Sequence, residues 1–210
     1  MKFERKRKNG ELPAFFNYEA EGKTDQGHEA LMDFFLSWTL RCADDKNKSR
    51  DSKVHQMAKK ILFTLLFSNA GNDGIIAAPE IKFESSFKVM AVKTYRQKNS
   101  IDLLVEVKCE IKKEQQAHVI CIENKWYSDI SENQLPKYKD YVEQNYPDQK
   151  KQYIVLFLDS SKFNVKNKNL CKEYGYILAS LEHIMDIVGI KEGCVKEDQT
   201  GNELFDTFWF

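Results

Sequence analysis

No Cys-x-x-Cys pair, no histidine at metal-finger spacing and no long apolar run occurs in this 210-residue chain. Cys42, Cys109, Cys121, Cys171 and Cys194 stand singly, which excludes a zinc ribbon and suits a reducing compartment, where a thiol serves as a small hydrophobe. The longest apolar stretches, around Ile61 to Phe67 and Tyr153 to Leu158, are far too short for a bilayer. Met1 to Lys8 opens basic but has no apolar core behind it, so it is not a secretory signal. A cytoplasmic protein without membrane contact is expected. His28, His55, His118 and His183 show no mutual spacing of a metal or acid–base site. Charge of one sign is missing as well, since 32 Lys and Arg balance 32 Asp and Glu. An overall basic footprint for nucleic acid is therefore absent. Net charge does not fix distribution, however. Basic residues gather at 2–8, 46–53, 96–98 and 162–172, and acids gather in the last twenty positions.

What is present reads as three segments: a polar arm over 1–26, a folded domain over 27–190 and an acidic tail over 191–210. Leu31, Phe34, Phe35, Trp38 and Cys42 repeat at helical spacing. Val54, Met57, Ala58, Ile61, Leu62, Leu65 and Leu66 do so again, with Ser52 as a cap. The period then changes to two. Residues 80–84 and 87–95 alternate, and 96–99 reads as a turn. In the next strand Ile101, Leu103, Val105, Val107, Cys109 and Ile111 make one apolar face opposite Asp102, Glu106, Lys108 and Glu110. After a turn over 112–116, His118 to Lys125 is apolar on both sides, the pattern of a central strand. A helix from near Asn133 to Asn145 follows, with Pro136 tolerated in its first turn. Then come a buried strand at 153–158, a Lys/Asn-rich loop, a strand near 174–178 and a short helix capped by Ser180. This order predicts an α/β fold with a mixed sheet and helices on both faces.

One constellation carries chemistry. Side chains alternate along a strand, so Glu123 and Lys125 share a face, as do Asp102 and Glu106. If the intervening turn holds an even number of residues, Asp102 falls opposite Glu123 or Lys125. Two carboxylates and an ammonium then converge. Hard oxygen ligands of this kind suit Mg²⁺ or Mn²⁺, with the Asn124 carbonyl as a further ligand. Lys125 would orient water or offset charge, and phosphodiester hydrolysis is the natural reaction for such a set. The competing reading is a structural ion-pair group on a half-exposed sheet, which is costly in an otherwise apolar strand. Glu106-x-Lys108 repeats the triplet without the following helix.

The series Ile101-Asp102-Leu103-Leu104, Ile122-Glu123-Asn124-Lys125 and Gln134-Leu135-x-x-Tyr138 resembles the PD-(D/E)XK nuclease superfamily. Its wording is similar to a bacterial and phage subgroup with an I-E-N-K motif, and Gln-x-x-x-Tyr resembles RecB-type and lambda-exonuclease-type members. Ser100-Ile101 stands where many members carry Pro before the Asp. The resemblance implies a restriction-endonuclease-like mixed central sheet flanked by helices, and a PD-(D/E)XK nuclease-like domain over 27–190. It also implies a Mg²⁺-dependent nuclease acting on nucleic acid, most naturally DNA, with Asp102, Glu123 and Lys125 at the reacting centre. Glu29 corresponds to the acidic residue of the first core helix, although an acid in a first helical turn is also favoured by the helix dipole. Gln134 and Tyr138 would line the cleft, and Trp126 and Tyr127 are candidates for stacking on bases. The subgroup often carries an additional C-terminal region, so a homo-oligomer or partner subunit could supply substrate recognition. The alternative is a non-catalytic module that binds nucleic acid or protein on a nuclease scaffold.

Overall fold

The computed structural model describes residues 19–20, 28–84, 86–126, 128–190 and 199–210, with the backbone alone for 19–20 and 28–29. In chain order the elements are β1 (Glu19–Ala20), α1 (His28–Cys42), α2 (Ser52–Phe67), β2 (Asn69–Ala70), β3 (Ile76–Ala77), β4 (Lys88–Lys98), β5 (Ile101–Ile111), β6 (Glu114–Lys125), α3 (Gln134–Asn145), β7 (Lys150–Phe157), α4 (Val165–Tyr174), β8 (Ile177–Ser180), α5 (Leu181–Val188) and α6 (Glu203–Trp209). Six strands form one mixed sheet in the order β1-β4-β5-β6-β7-β8. β4, β5 and β6 are antiparallel neighbours, whereas β6, β7 and β8 run parallel. The parallel connections pass through α3 and α4, as parallel strands require a crossover.

Both hairpins of the meander are tight, and the backbone shows why. Asn99 and Ser100 join β4 to β5 with φ of 52° and 67°, and Lys112 and Lys113 join β5 to β6 with φ of 50° and 69°. Two successive positive φ values are the signature of a two-residue type I′ turn, whose twist matches that of the strands. β4 thus extends to Lys98, past the turn expected at 96–99, and the β5–β6 turn is two residues instead of five.

The sheet separates two apolar layers. Leu103, Val105, Val107, Ile120, Ile122, Ile154 and Leu156 pack on one side with α1, α2, α5 and α6. Leu104, Val119, Cys121, Val155 and Phe157 pack on the other with α3 and α4. β6 lies between β5 and β7, as its two-sided apolar character demands.

Several local expectations differ from the structure. Leu31, expected on the inward stripe of α1, is 45% exposed, while Met32, Asp33, Leu36, Ser37 and Leu40 are buried. Asp51, not Ser52, caps α2, accepting from the Val54 amide at 3.0 Å. Residues 80–84 form no strand despite their alternation. The Lys/Asn-rich stretch is the helix α4, opened by Asn164 accepting from the Asn167 amide and closed by Gly175 at φ 73°. Within the last twenty residues, α6 places Phe205 and Trp209 in the larger core. No helix among the described residues is long and apolar enough to cross a membrane.

Candidate active site

The two-residue β5–β6 turn sets the decisive register. Leu103 faces Ile122 and Leu104 faces Cys121, and one step further the same register sets Asp102 against Glu123. Asp102 begins β5, and Glu123 and Lys125 end β6, so all three meet at the carboxyl end of the parallel strands β6 and β7. This is where open α/β sheets commonly bind ligands. The face is the one covered by α3.

Each side chain is held differently. Asp102 is half-buried; its Oδ2 accepts from the Asn124 main-chain N–H at 2.9 Å and its Oδ1 from Gln97 Nε2 at 3.0 Å. Glu123 is 1% exposed. The Lys125 ammonium stands 2.6 Å from Glu123 Oε1, an ion pair by distance. Both Glu123 oxygens are nevertheless buried without a directed hydrogen bond among the described residues. Burial first, and the neighbouring Asp102 carboxylate second, push Glu123 up to about 8. Burial also raises Asp102 above its ordinary value, against the pull of the Asn124 amide.

α3 completes this side. Its first turn, with Pro136 inside it, sets Gln134 one turn before Tyr138, and Gln134 Nε2 donates to the Tyr138 hydroxyl at 3.3 Å. Tyr138 is buried, and its burial together with the Glu123 and Asp102 carboxylates keeps the phenol neutral well above its ordinary value.

Sequence positions 14–208 match the PD-(D/E)XK nuclease superfamily. The chain belongs to this superfamily. Comparisons with curated proteins and with solved structures give no match. Membership of the PD-(D/E)XK nucleases implies a phosphodiester hydrolase that acts on nucleic acid. The mixed sheet flanked by helices is the restriction-endonuclease-like arrangement expected of it.

Against the PD-(D/E)XK pattern, the remaining candidates fall as follows. Glu29 lies in the first turn of α1, and its side chain is outside the described residues, as is Tyr127. Trp126 is partly buried against the larger core. Glu106 accepts from Tyr146 Oη at 2.8 Å and Tyr95 Oη at 3.4 Å, and its companion Lys108 is exposed. Among the described residues, no cluster of three or more His, Cys, Asp or Glu side chains forms a ready-made metal cage. The pair Asp102 and Glu123 still fits a hard cation of the Mg²⁺ kind, which binds through one or two carboxylates plus water and substrate oxygens. Glu123 Oε2, buried without a hydrogen bond beside the Lys125-paired Oε1, is what such an ion would satisfy.

Three residues near the site escaped the sequence reading. The Asn124 side chain points through the sheet to α1, where Nδ2 donates to Asp33 Oδ1. Arg96 on β4 reaches the other Asp33 oxygen at 3.4 Å and lies over the Phe34 ring, 3.9 Å from its centre. Burial, then the Asp102 charge, raise Asp33 well above its ordinary value. Gln97 is the third, opposite Asp102 across the β4–β5 pair. Asp33 pairs with residues more than sixty positions away, and Gln97 meets Asp102 only through the hairpin register, so no periodicity marks them; a charged residue on the inward side of a helix was the one usable signal.

Proposed function

We propose that this chain is a metal-dependent nuclease that hydrolyses phosphodiester bonds in DNA, with Asp102 and Glu123 holding Mg²⁺ or Mn²⁺. The observation that carries this reading is the Glu123 carboxyl group: both oxygens are buried without a directed hydrogen bond, Oε1 is 2.6 Å from the Lys125 ammonium, and a second carboxylate lies beside them. Burying that arrangement is costly unless a ligand completes it. The main-chain carbonyl of Asn124 supplies a further oxygen.

A divalent cation there supplies a bound water of lowered pKa and offsets charge developing on the phosphoryl oxygens. The chain's own groups do the rest. The Lys125 ammonium, 2.6 Å from Glu123 Oε1, directs the attacking water or offsets charge developing on the phosphoryl oxygens. Asp102, gripped by two donors, presents a fixed carboxylate. Gln134 and Tyr138, bonded to each other, wall the cleft on the α3 side. Glu29 is the proposed further acid of the metal network by its sequence position in the first turn of α1 alone. DNA as substrate is supported by the likeness of the Gln134-x-x-x-Tyr138 motif to exonuclease-type members.

The test is incubation of the purified chain with linear and circular duplex DNA, single-stranded DNA and RNA, in Mg²⁺ or EDTA. Cleavage of DNA in Mg²⁺ but not EDTA is expected. Asp102→Asn and Lys125→Ala should each abolish it while leaving the thermal melt cooperative. Full cleavage by both folded variants, or none by the wild type with any substrate, removes the reading.

A further inference from the structure

We propose that Gln97 is a positioning residue for this hydrolysis, acting through Asp102: its amide fixes the plane of the carboxylate that meets the cation. The inference rests on the nuclease reading above.

Geometry is the first support. Arg96 faces Leu103 and Lys98 faces Ile101, which sets Gln97 directly across from Asp102. Gln97 Nε2 donates to Oδ1 at 3.0 Å and the Asn124 N–H to Oδ2 at 2.9 Å. The carboxylate is thus clasped at both oxygens, from β4 on one flank and β6 on the other. A terminal carboxylate torsion is broad when left alone, and two donors remove that freedom. Each oxygen keeps lone-pair capacity for a cation.

Backbone conformation is the second support. Gln97 has φ of 55°, left-handed backbone that a glutamine side chain disfavours. A two-residue turn takes its positive φ at Asn99 and Ser100; Gln97, whose carbonyl accepts from the Ser100 N–H at 3.2 Å, adds a third just before it. Strained backbone of this sort is retained where surrounding structure over-determines it, commonly at functional sites. Glycine would relieve the strain but lacks the amide. Charge is the third support. A neutral amide can orient a carboxylate without cancelling its charge, whereas an ammonium in the same place would compete with the metal ion.

The experiment compares wild type, Gln97→Gly and Gln97→Asn by Mn²⁺ calorimetry, thermal melting and DNA cleavage across a metal titration. Gln97→Asn suits the backbone but is one methylene short of Asp102. Both variants should melt near the wild type yet bind Mn²⁺ roughly 10- to 100-fold more weakly, as when other donors to metal-liganding groups are removed. Cleavage should then need correspondingly more metal. Wild-type Mn²⁺ affinity and metal dependence in both variants would overturn the role of Gln97 alone, whether or not their melting points fall. A wild type that neither binds Mn²⁺ nor cleaves would overturn the nuclease reading, and this one with it.

Discussion

At the scale of single residues, the site is defined by charges that the fold keeps in an unfavourable state. Glu123 has its carboxyl pushed from an ordinary 4.5 to about 8, by burial and then by Asp102. An acid whose folded value is raised keeps its proton in the native state while the unfolded chain has lost its own. Stability must therefore fall as pH rises from about 4.5 to about 8, then level off. Asp102 and Asp33, both raised chiefly by burial, act with the same sign. Chemical denaturation in EDTA should show this decline, and Glu123→Gln should flatten it in part while destroying activity. A variant as pH-sensitive as the parent would show that Glu123 is not the titrating group. Mn²⁺ should stabilise the wild type more at pH 8 than at pH 6, because the ion competes with a proton that is already leaving at the higher pH.

Among the elements, β5 and β6 were the most legible, and for a physical reason. A half-buried strand must alternate, and a strand buried on both faces must not, so each pattern states its own environment. The same rule misled at residues 80–84, where alternation exists but, among the described residues, no strand pairs with it. α4 was hidden because it buries only Asn167, Leu170 and Cys171, too few to make a stripe. Its ends were readable, Asn164 as a cap and Gly175 as the left-handed stop. α1 was misread in orientation because it is buried round most of its circumference, with Asp33 inward against Arg96. The triad of Asp102, Glu123 and Lys125 was legible because face and register follow from strand geometry, given an even-numbered turn. That turn is also where this sequence is far from its optimum. Lys112 and Lys113 occupy positive-φ positions that Asn and Gly favour. Replacing them with Asn-Gly relieves left-handed backbone strain and should raise stability by about 1 kcal/mol in urea denaturation without altering cleavage, since the register that aligns Asp102 with Glu123 is unchanged. A loss of activity in a stabilised variant would mean that the turn, and not only its register, serves the site.

For the molecule as a whole, the sheet separates chemistry from bulk. The α3 face holds the Asp102 and Glu123 carboxylates, and the opposite face holds the larger core, joined to them through Asn124 and Asp33. α6 belongs to that larger core. Its acids suggested a solvated tail, but Phe205 and Trp209 are one turn apart and point inward, while Phe208 stacks on Phe35 of α1 with ring centres 4.4 Å apart. Trp209 Nε1 donates to Thr39 Oγ1 at 2.9 Å, tying the last helix to the first across 170 residues. Contacts of such sequence separation leave no local trace, which is why composition outweighed the aromatic spacing in the reading of this segment. Trp209→Ala should therefore cost about 3–5 kcal/mol of stability and leave the Thr39 hydroxyl without its donor. Because Trp209 touches α1 on the side away from the carboxylates, the folded fraction should keep wild-type Mn²⁺ affinity and cleavage per molecule at low temperature. Calorimetric melting and metal titration on the same sample separate the two effects. A variant that melts as the wild type would place α6 outside the cooperative unit, and one that melts early with weakened Mn²⁺ binding would show that α1 transmits strain through Asp33 to Asn124.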